Sequence, residues 1–181
     1  LSRVRMRAQN AVLLFVFFFF FIPPMAFIIP YFIVFNTVGL IDTRIGLILI
    51  YIALSLGLVV WAMWTFFDEI PIEMDESARI DGASVFQTFR KIILPLSAHG
   101  MASTGIISFV MVWNEFLFAL ILTRRDAVTA PVAISSGLAF ETMDIGFLTA
   151  GSIVVSAPVI AFYFIMQKYI RRGLMGGAIK G

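Results

Sequence analysis

The sequence predicts an all-α protein, a polytopic transmembrane helix bundle with one charged helix pair standing outside the hydrocarbon. Three observations carry that prediction. Hydrophobic residues fill 61% of the 181 positions and charged residues only 13%, about half the charged share of a soluble domain. Mean hydropathy is +1.01, and so few charges cannot cover a surface in water. Four apolar stretches, roughly 11–35, 45–67, 101–122 and 146–167, are each long enough to cross ~30 Å of hydrocarbon as a helix. Finally, residues 76–95 hold five of the 24 charged side chains and interrupt the apolar runs.

Each span is expected to be helical, because backbone groups in lipid need partners within their own segment. The first contains Pro23, Pro24 and Pro30, so a kink or unwound turn is expected there. Its basic start and apolar run superficially resemble a signal peptide, but Ile22-Pro23-Pro24 stands where a small-residue cleavage site would be. It therefore reads as a spanning helix. Because the chain opens on Leu1, its natural N-terminus is expected to be missing. Residues 1–181 read as a single transmembrane domain.

Lys and Arg set the orientation. With four spans, the N-terminus, the 68–100 loop and the C-terminal tail share one side. That side holds Arg3, Arg5, Arg7, Arg79, Arg90, Lys91, Lys168, Arg171, Arg172 and Lys180, against Arg44, Arg124 and Arg125 on the other. The positive-inside bias places the 68–100 loop and the C-terminus in the cytoplasm and makes 123–145 an external loop. The basic residues flank apolar runs and serve as membrane anchors, so no nucleic-acid partner is expected.

Within the 68–100 loop the pattern is two short helices and a turn. Pro71 suits the first helical position, and Glu73, Asp75 and Glu76 oppose the helix dipole. Arg79 stands at pairing distance in sequence from Asp75 and Glu76. Gly82 supplies a left-handed residue to end the first helix. Ser84 with Gln87 makes a capping box for the second, which is expected to stop at Pro95 because Leu94 is pushed out of helical geometry. Val85, Phe86, Phe89, Ile92 and Ile93 form one apolar stripe. Periodicity leaves three destinations for it: the membrane surface, the bundle itself, or a groove on another protein.

Glu76-Ser77-Ala78, three residues, Gly82, nine residues, then Ile92, one residue and Leu94-Pro95 resembles the EAA motif of ABC-importer permeases. Ser77 departs from the alanine at its position, while Asp81-Gly82-Ala83 reinforces the match. Further stretches resemble the carbohydrate-importer, maltose-transporter-like branch. These are Pro23-Pro24 with Ile29-Pro30, Gly39-Leu40-Ile41-Asp42-Thr43, Trp113-Asn114-Glu115-Phe116 and Gly176-Gly177-Ala178-Ile179-Lys180-Gly181. The resemblance implies a type I ABC importer permease-like fold. It implies an ATPase-coupling site at Glu76, Ser77, Ala78, Asp81, Gly82, Ala83, Phe86, Phe89, Ile92, Leu94 and Pro95. It also implies a homologous permease partner, two ATPase subunits, an extracytoplasmic solute-binding protein, and residence in the bacterial plasma (inner) membrane. Members begin with further spans, so N-terminal spans are expected to be missing here.

Trp113, Asn114 and Glu115 are the translocation-pathway candidates. A carboxylate inside a span faces a bundle interior or a water-filled path, so Glu115 reads either as a pathway or gate residue or as a group that orders neighbouring helices. It is also the group an ion-coupled carrier or channel, the alternative function, would use. Trp61, Trp64 and Tyr169 read as aromatic anchors, and Gly46, Gly57, Gly105, Gly146 and Gly151 as sites of close helix packing. The glycine-rich 173–181 tail reads as mobile. No cofactor or metal site is expected: the chain has one histidine, no cysteine and no phosphate-cradling G-x-x-x-x-G-K-[ST]. It is not expected to be an enzyme.

Overall fold

The structure, a computed structural model, describes residues 9–135 and 145–177. Arg3, Arg5, Arg7, the Ser136-Gly137 turn and residues 178–181 lie outside them, as do the side chains of Lys168, Tyr169, Arg171 and Arg172. The described residues are helical and contain no strand. The elements are α1 (Gln9–Phe21), a 3-10 turn (Pro24–Phe27), α2 (Ile28–Thr37), α3 (Arg44–Asp68), α4 (Glu73–Ile80) and α5 (Val85–Thr88). A π turn (Phe89–Ile93) follows, then α6 (Leu94–Leu96), α7 (Ala98–Trp113), α8 (Leu117–Leu122), α9 (Ala130–Ser135) and α10 (Ile145–Gly177).

By length and composition α3 and Ile145–Gln167 of α10 can each cross a bilayer. The bent pair Val85–Leu96 and Ala98–Trp113 adds a third if counted as one span. The first apolar stretch breaks at Pro23-Pro24 into α1 and α2, because two prolines remove successive backbone donors. The 101–122 stretch, expected as one helix, breaks at Asn114–Phe116 between α7 and α8. Within the expected 123–145 loop, Ala130-Pro131 begins α9, since proline is tolerated in a first turn. At the other end α10 runs through Gly177 rather than fraying at 173. Extending an existing helix costs far less than starting one.

α7 is the central rod, packed between α3 and α10; α1 lies on α3, α9 on α10, and α8 sits between α2 and α3. The tightest core gathers Phe35, Leu47, Ile50, Phe118, Ala119 and Leu122 at the α2–α3–α8 end. There the Tyr31 ring meets Phe118 edge-on at 5.9 Å. Outward faces of α3 (Ile45, Ile48, Ile52) and α10 (Ile153, Val154, Phe164) are broadly exposed apolar surface, more than a monomer in water leaves uncovered.

Two helix glycines carry clear steric reasons, Gly151 as expected and Gly100, which the sequence did not single out. A Cβ at Gly100 would strike the Cβ and ring of Phe66 on α3, and one at Gly151 would crowd Ile134 of α9 at 2.8 Å. A Cβ at Gly105 would meet nothing within 4 Å, so that glycine is not a packing requirement. Gly100→Ala gains up to about 1 kcal/mol of helix propensity but overpacks the α3–α7 contact at a cost of about 1–3 kcal/mol. The expected net result is a lower thermal midpoint in detergent; a rise would show that Phe66 yields freely.

Candidate functional site: a projecting helix pair and a hydroxyl-lined cavity

The helix pair forms as its local chemistry dictates. α4 begins at Glu73, with Ile72 at the capping position; Pro71 therefore sits just before the helix, and its carbonyl accepts the Met74 N–H at 3.3 Å. Glu73, Asp75 and Glu76 occupy the first turn. Gly82 (φ +78) closes α4 with paired bonds, Gly82 N–H to Arg79 carbonyl at 3.0 Å and Ala83 N–H to Ala78 carbonyl at 2.9 Å. This is the left-handed glycine stop that reverses the chain. The capping box follows: Gln87 N–H donates to Ser84 Oγ and Ser84 N–H to Gln87 Oε1.

Leu94 corrects the sequence expectation. It is helical (φ −62, ψ −45), and the rod runs past Pro95 to Leu96. The π turn is the physical reason. Leu94 N–H reaches back to the Phe89 carbonyl, five residues away, and this widened turn accommodates a proline that the tighter α ladder would reject. The same extra residue breaks the expected single stripe. Ile93 turns inward and is buried, whereas Val85 and Phe86 are each 69% exposed and Phe89 44%. The rod meets α7 at 67°.

Of the motif residues, Ala78 is buried (4%) where α4 crosses α5. Ala83, Ile92 and Leu94 are half-buried, and Glu76, Ser77, Asp81, Gly82 and Pro95 are exposed. Ser77 spends its hydroxyl on the Glu73 carbonyl at 2.8 Å, so the departure from alanine is absorbed within α4. The pair thus offers charges and exposed aromatic rings outward, and packs inward through Ala78, Thr88 and Ile93.

At the opposite end of α7, the Trp113-Asn114-Glu115 stretch is a helix break. Asn114 Nδ2 donates to the Val110 carbonyl at 2.7 Å and closes α7. Glu115 opens α8: Oε1 accepts Phe118 N–H at 2.8 Å and Oε2 accepts Ala119 N–H at 3.1 Å. A carboxylate at a helix start is favourably placed toward the dipole. The Trp113 indole donates to the Val155 carbonyl at 3.0 Å, fastening α7 to α10 beside Pro158, where the α10 ladder lacks a donor.

Trp113 also faces a cavity of about 570 Å³ lined by Tyr51, Gly105, Ser108, Phe109, Val112, Thr129, Ala130 and Pro131. Phe109 stacks on Trp113 at 5.6 Å and 27°. The hydroxyl oxygens of Ser108 and Thr129 are buried without a partner among the described residues, and the Tyr51 hydroxyl engages the Glu115 carboxylate. Asn114 and Glu115 shape the break and do not line the cavity.

One residue quoted in the sequence only within the Gly39–Thr43 resemblance has a structural role that sequence reasoning missed. Asp42 (φ 56) donates its N–H to the Leu122 carbonyl at 2.8 Å. Its carboxylate accepts the N–H groups of Arg124 (2.9 Å), Arg125, Asp126 and Ala127. These bonds, led by that from Arg124, hold its carboxyl at about 2. The clue was a lone acid in a short loop opposite Arg124 and Arg125, which suggests a side-chain ion pair; the structure uses the backbone instead.

The chain is similar to known permeases in sequence and to a solved transporter in fold. The Trehalose transport system permease protein SugB of Mycobacterium tuberculosis is 41% identical over 162 residues, 88% of this chain and 59% of that protein. The Trehalose/maltose transport system permease protein MalG of Thermococcus litoralis is 33% identical over 183 residues, 99% of this chain and 66% of that protein. The chain thus spans about three fifths of the length of such relatives. Among solved structures, a bacterial ABC transporter involved in the import of the acidic polysaccharide alginate superposes with a TM-score of 0.70 at 24% identity, over 93% of this chain and 64% of that one. Residues 2–176 match the binding-protein-dependent transport system inner membrane component family, and the chain belongs to it.

Proposed function

We propose that this chain is the membrane-spanning permease subunit of an ATP-driven importer for a carbohydrate or related polar solute. Its partners are a homologous permease, two ATPase subunits and an extracytoplasmic solute-binding protein. It lies in the bacterial plasma membrane with the α4–α6 pair and the C-terminus in the cytoplasm. ATP is hydrolysed on the ATPase subunits, and this chain supplies no catalytic residue.

One observation carries the reading: the projecting pair and the cavity lie at opposite ends of α7, which the α5–α6 rod joins at 67°. α7 starts at Ala98, directly after the rod of α5 and α6, and ends at Trp113, about 22 Å away at 1.5 Å per residue. A push on Glu76, Asp81, Phe86 or Phe89 therefore reaches the cavity wall through hydrogen-bonded helix. A flexible loop would dissipate it. Ala78, Ile92, Leu94 and Pro95 keep the pair stiff, while Gly82 and Ala83 set its corner. Trp113 presents an aromatic face to the pathway, and Asn114 and Glu115 hold the break that lets α8 turn away. With both Glu115 oxygens engaged by α8, an ion-coupled role for that carboxylate is disfavoured.

The test is reconstitution of the full-length permease with its partner subunits in proteoliposomes. Uptake is expected to require ATP and the ATPase subunit and to ignore an imposed proton or sodium gradient. Uptake on a gradient alone would overturn the proposal.

A further inference from the structure

We infer that α8 rides on α3 as one body, and that the break at Asn114–Phe116 is the hinge at which the joined α7 and α10 swing against it. The inference rests on the importer reading and deepens it by placing a bend inside one subunit and naming the side chains that fasten α8.

A carboxylate grips α8 at each end. At its start Glu115 accepts the Phe118 and Ala119 N–H groups, and Tyr51 of α3 engages the same carboxylate through its hydroxyl. At its end the Asp42 N–H donates to the Leu122 carbonyl at 2.8 Å, and the Asp42 carboxylate takes the backbone N–H groups of Arg124, Arg125, Asp126 and Ala127. Between these ends Phe118 and Ala119 are buried in the core shared with Phe35 of α2 and with Leu47 and Ile50 of α3. A helix of six residues has no stability of its own. Hydrogen bonds to charged groups are the strong class, and here they make α8 an extension of α3.

The tip of α7 is fastened elsewhere. The Trp113 indole bonds the Val155 carbonyl of α10 at 3.0 Å, and the Phe109 ring lies 4.3 Å from that of Phe162. Across the break, among the described residues, runs a single backbone bond, Glu115 N–H to the Val112 carbonyl at 3.1 Å. Asn114 (φ −89, ψ 2) and Phe116 (φ −117, ψ −39) depart from regular helical dihedrals. A few residues at element ends are where a rotation between packed units is absorbed. Room for that rotation lies on the α3 side. Near its start α7 meets α3 closely, Gly100 against Phe66. About 20 Å further along the helix, the 570 Å³ cavity opens between Tyr51 of α3 and Ser108, Val112 and Trp113 of α7. Protein interiors are otherwise close-packed, so this space lets the tip of α7 close toward α3 about the Gly100–Phe66 contact.

The experiment measures distances between paired spin labels in the full-length permease, assembled with its partners in lipid. This chain has no cysteine, so label sites can be introduced at exposed positions: Ile48 on α3, Leu120 on α8 and Ile107 on α7. Between the nucleotide-free and the vanadate-trapped states, the Ile48–Leu120 distance is expected to stay fixed while the Ile107–Leu120 distance shifts. Tyr51→Phe removes one charge-assisted bond and is expected to raise the fraction of molecules with α8 displaced about tenfold, read as a second Ile48–Leu120 distance. Glu115→Gln, which keeps one acceptor oxygen, should give the same second distance with a smaller population than Glu115→Ala. If both distances shift together, or neither shifts, in an assembly that imports solute on ATP, the hinge is overturned and the importer reading stands. If the native distances behave as expected but none of the variants displaces α8, the fastening by Tyr51 and Glu115 is overturned. An assembly that imports no solute on ATP overturns the importer reading and the hinge together.

Discussion

Gly82→Val is expected to abolish coupled uptake while leaving the permease inserted and folded. The backbone at Gly82 sits at φ +78, and a Cβ there would touch nothing within 4 Å. Space is therefore not the obstacle. A β-branched residue in the left-handed region costs about 1–3 kcal/mol, and the simplest relief is to open the corner between α4 and α5. That would dislodge the two bonds closing α4 and move Ala78 off α5. ATP hydrolysis would then proceed without solute movement, read as a fall of an order of magnitude or more in solute imported per ATP. Gly82→Asn is the control, because asparagine tolerates this conformation and the site has room for it. If the valine and asparagine variants couple equally well, conformation at the corner is not what transmits force.

Asp42→Ala is expected to free the 123–129 segment from the loop before α3. Four backbone N–H groups lose a shared acceptor, and the already exposed Arg124 and Arg125 gain the backbone freedom that a protease needs. Tryptic cleavage of the full-length protein in detergent at those arginines should accelerate about tenfold, the factor that losing one charge-assisted hydrogen bond's worth of local stability produces. Unchanged cleavage would show that burial of Ala127 in the core, not the clamp, anchors the segment. The pH dependence follows from the lowered carboxyl. A group at about 2 when folded against 3.8 in the free chain stabilises the clamp above about pH 4 and loses that contribution as pH falls toward 2. Native cleavage or exchange rates in this segment should thus be flat from pH 5 to 8 as far as Asp42 is concerned. An acid-resistant protease such as pepsin should find the segment opening as pH falls from about 4 to 2.

Much of this molecule could be read before any coordinates. All-helical character follows from hydrocarbon length and the need to satisfy backbone groups inside each segment. The corner at Gly82 and the capping box at Ser84 and Gln87 are local devices that operate within a few residues, so their sequence signature is nearly their structure. The same holds for the proline break in the first apolar stretch. The family resemblance likewise needed only spacing.

Other features depended on contacts between residues distant in sequence, or on small backbone offsets. Proline at position 95 forbids an ordinary helix, but a single π turn admits it, and no residue pattern distinguished those outcomes. Glu115 looked like a charge within a continuous span; the break at Asn114 turns it into the cap of the next helix. Asp42 finds its donors more than eighty residues onward, and the cavity joins Tyr51, Ser108 and Thr129 from three separate segments. Periodicity reports which way one segment faces. Which carbonyl, amide or hydroxyl waits opposite is settled when the helices pack, since hydrogen bonds are short and directional and their partners lie across the bundle.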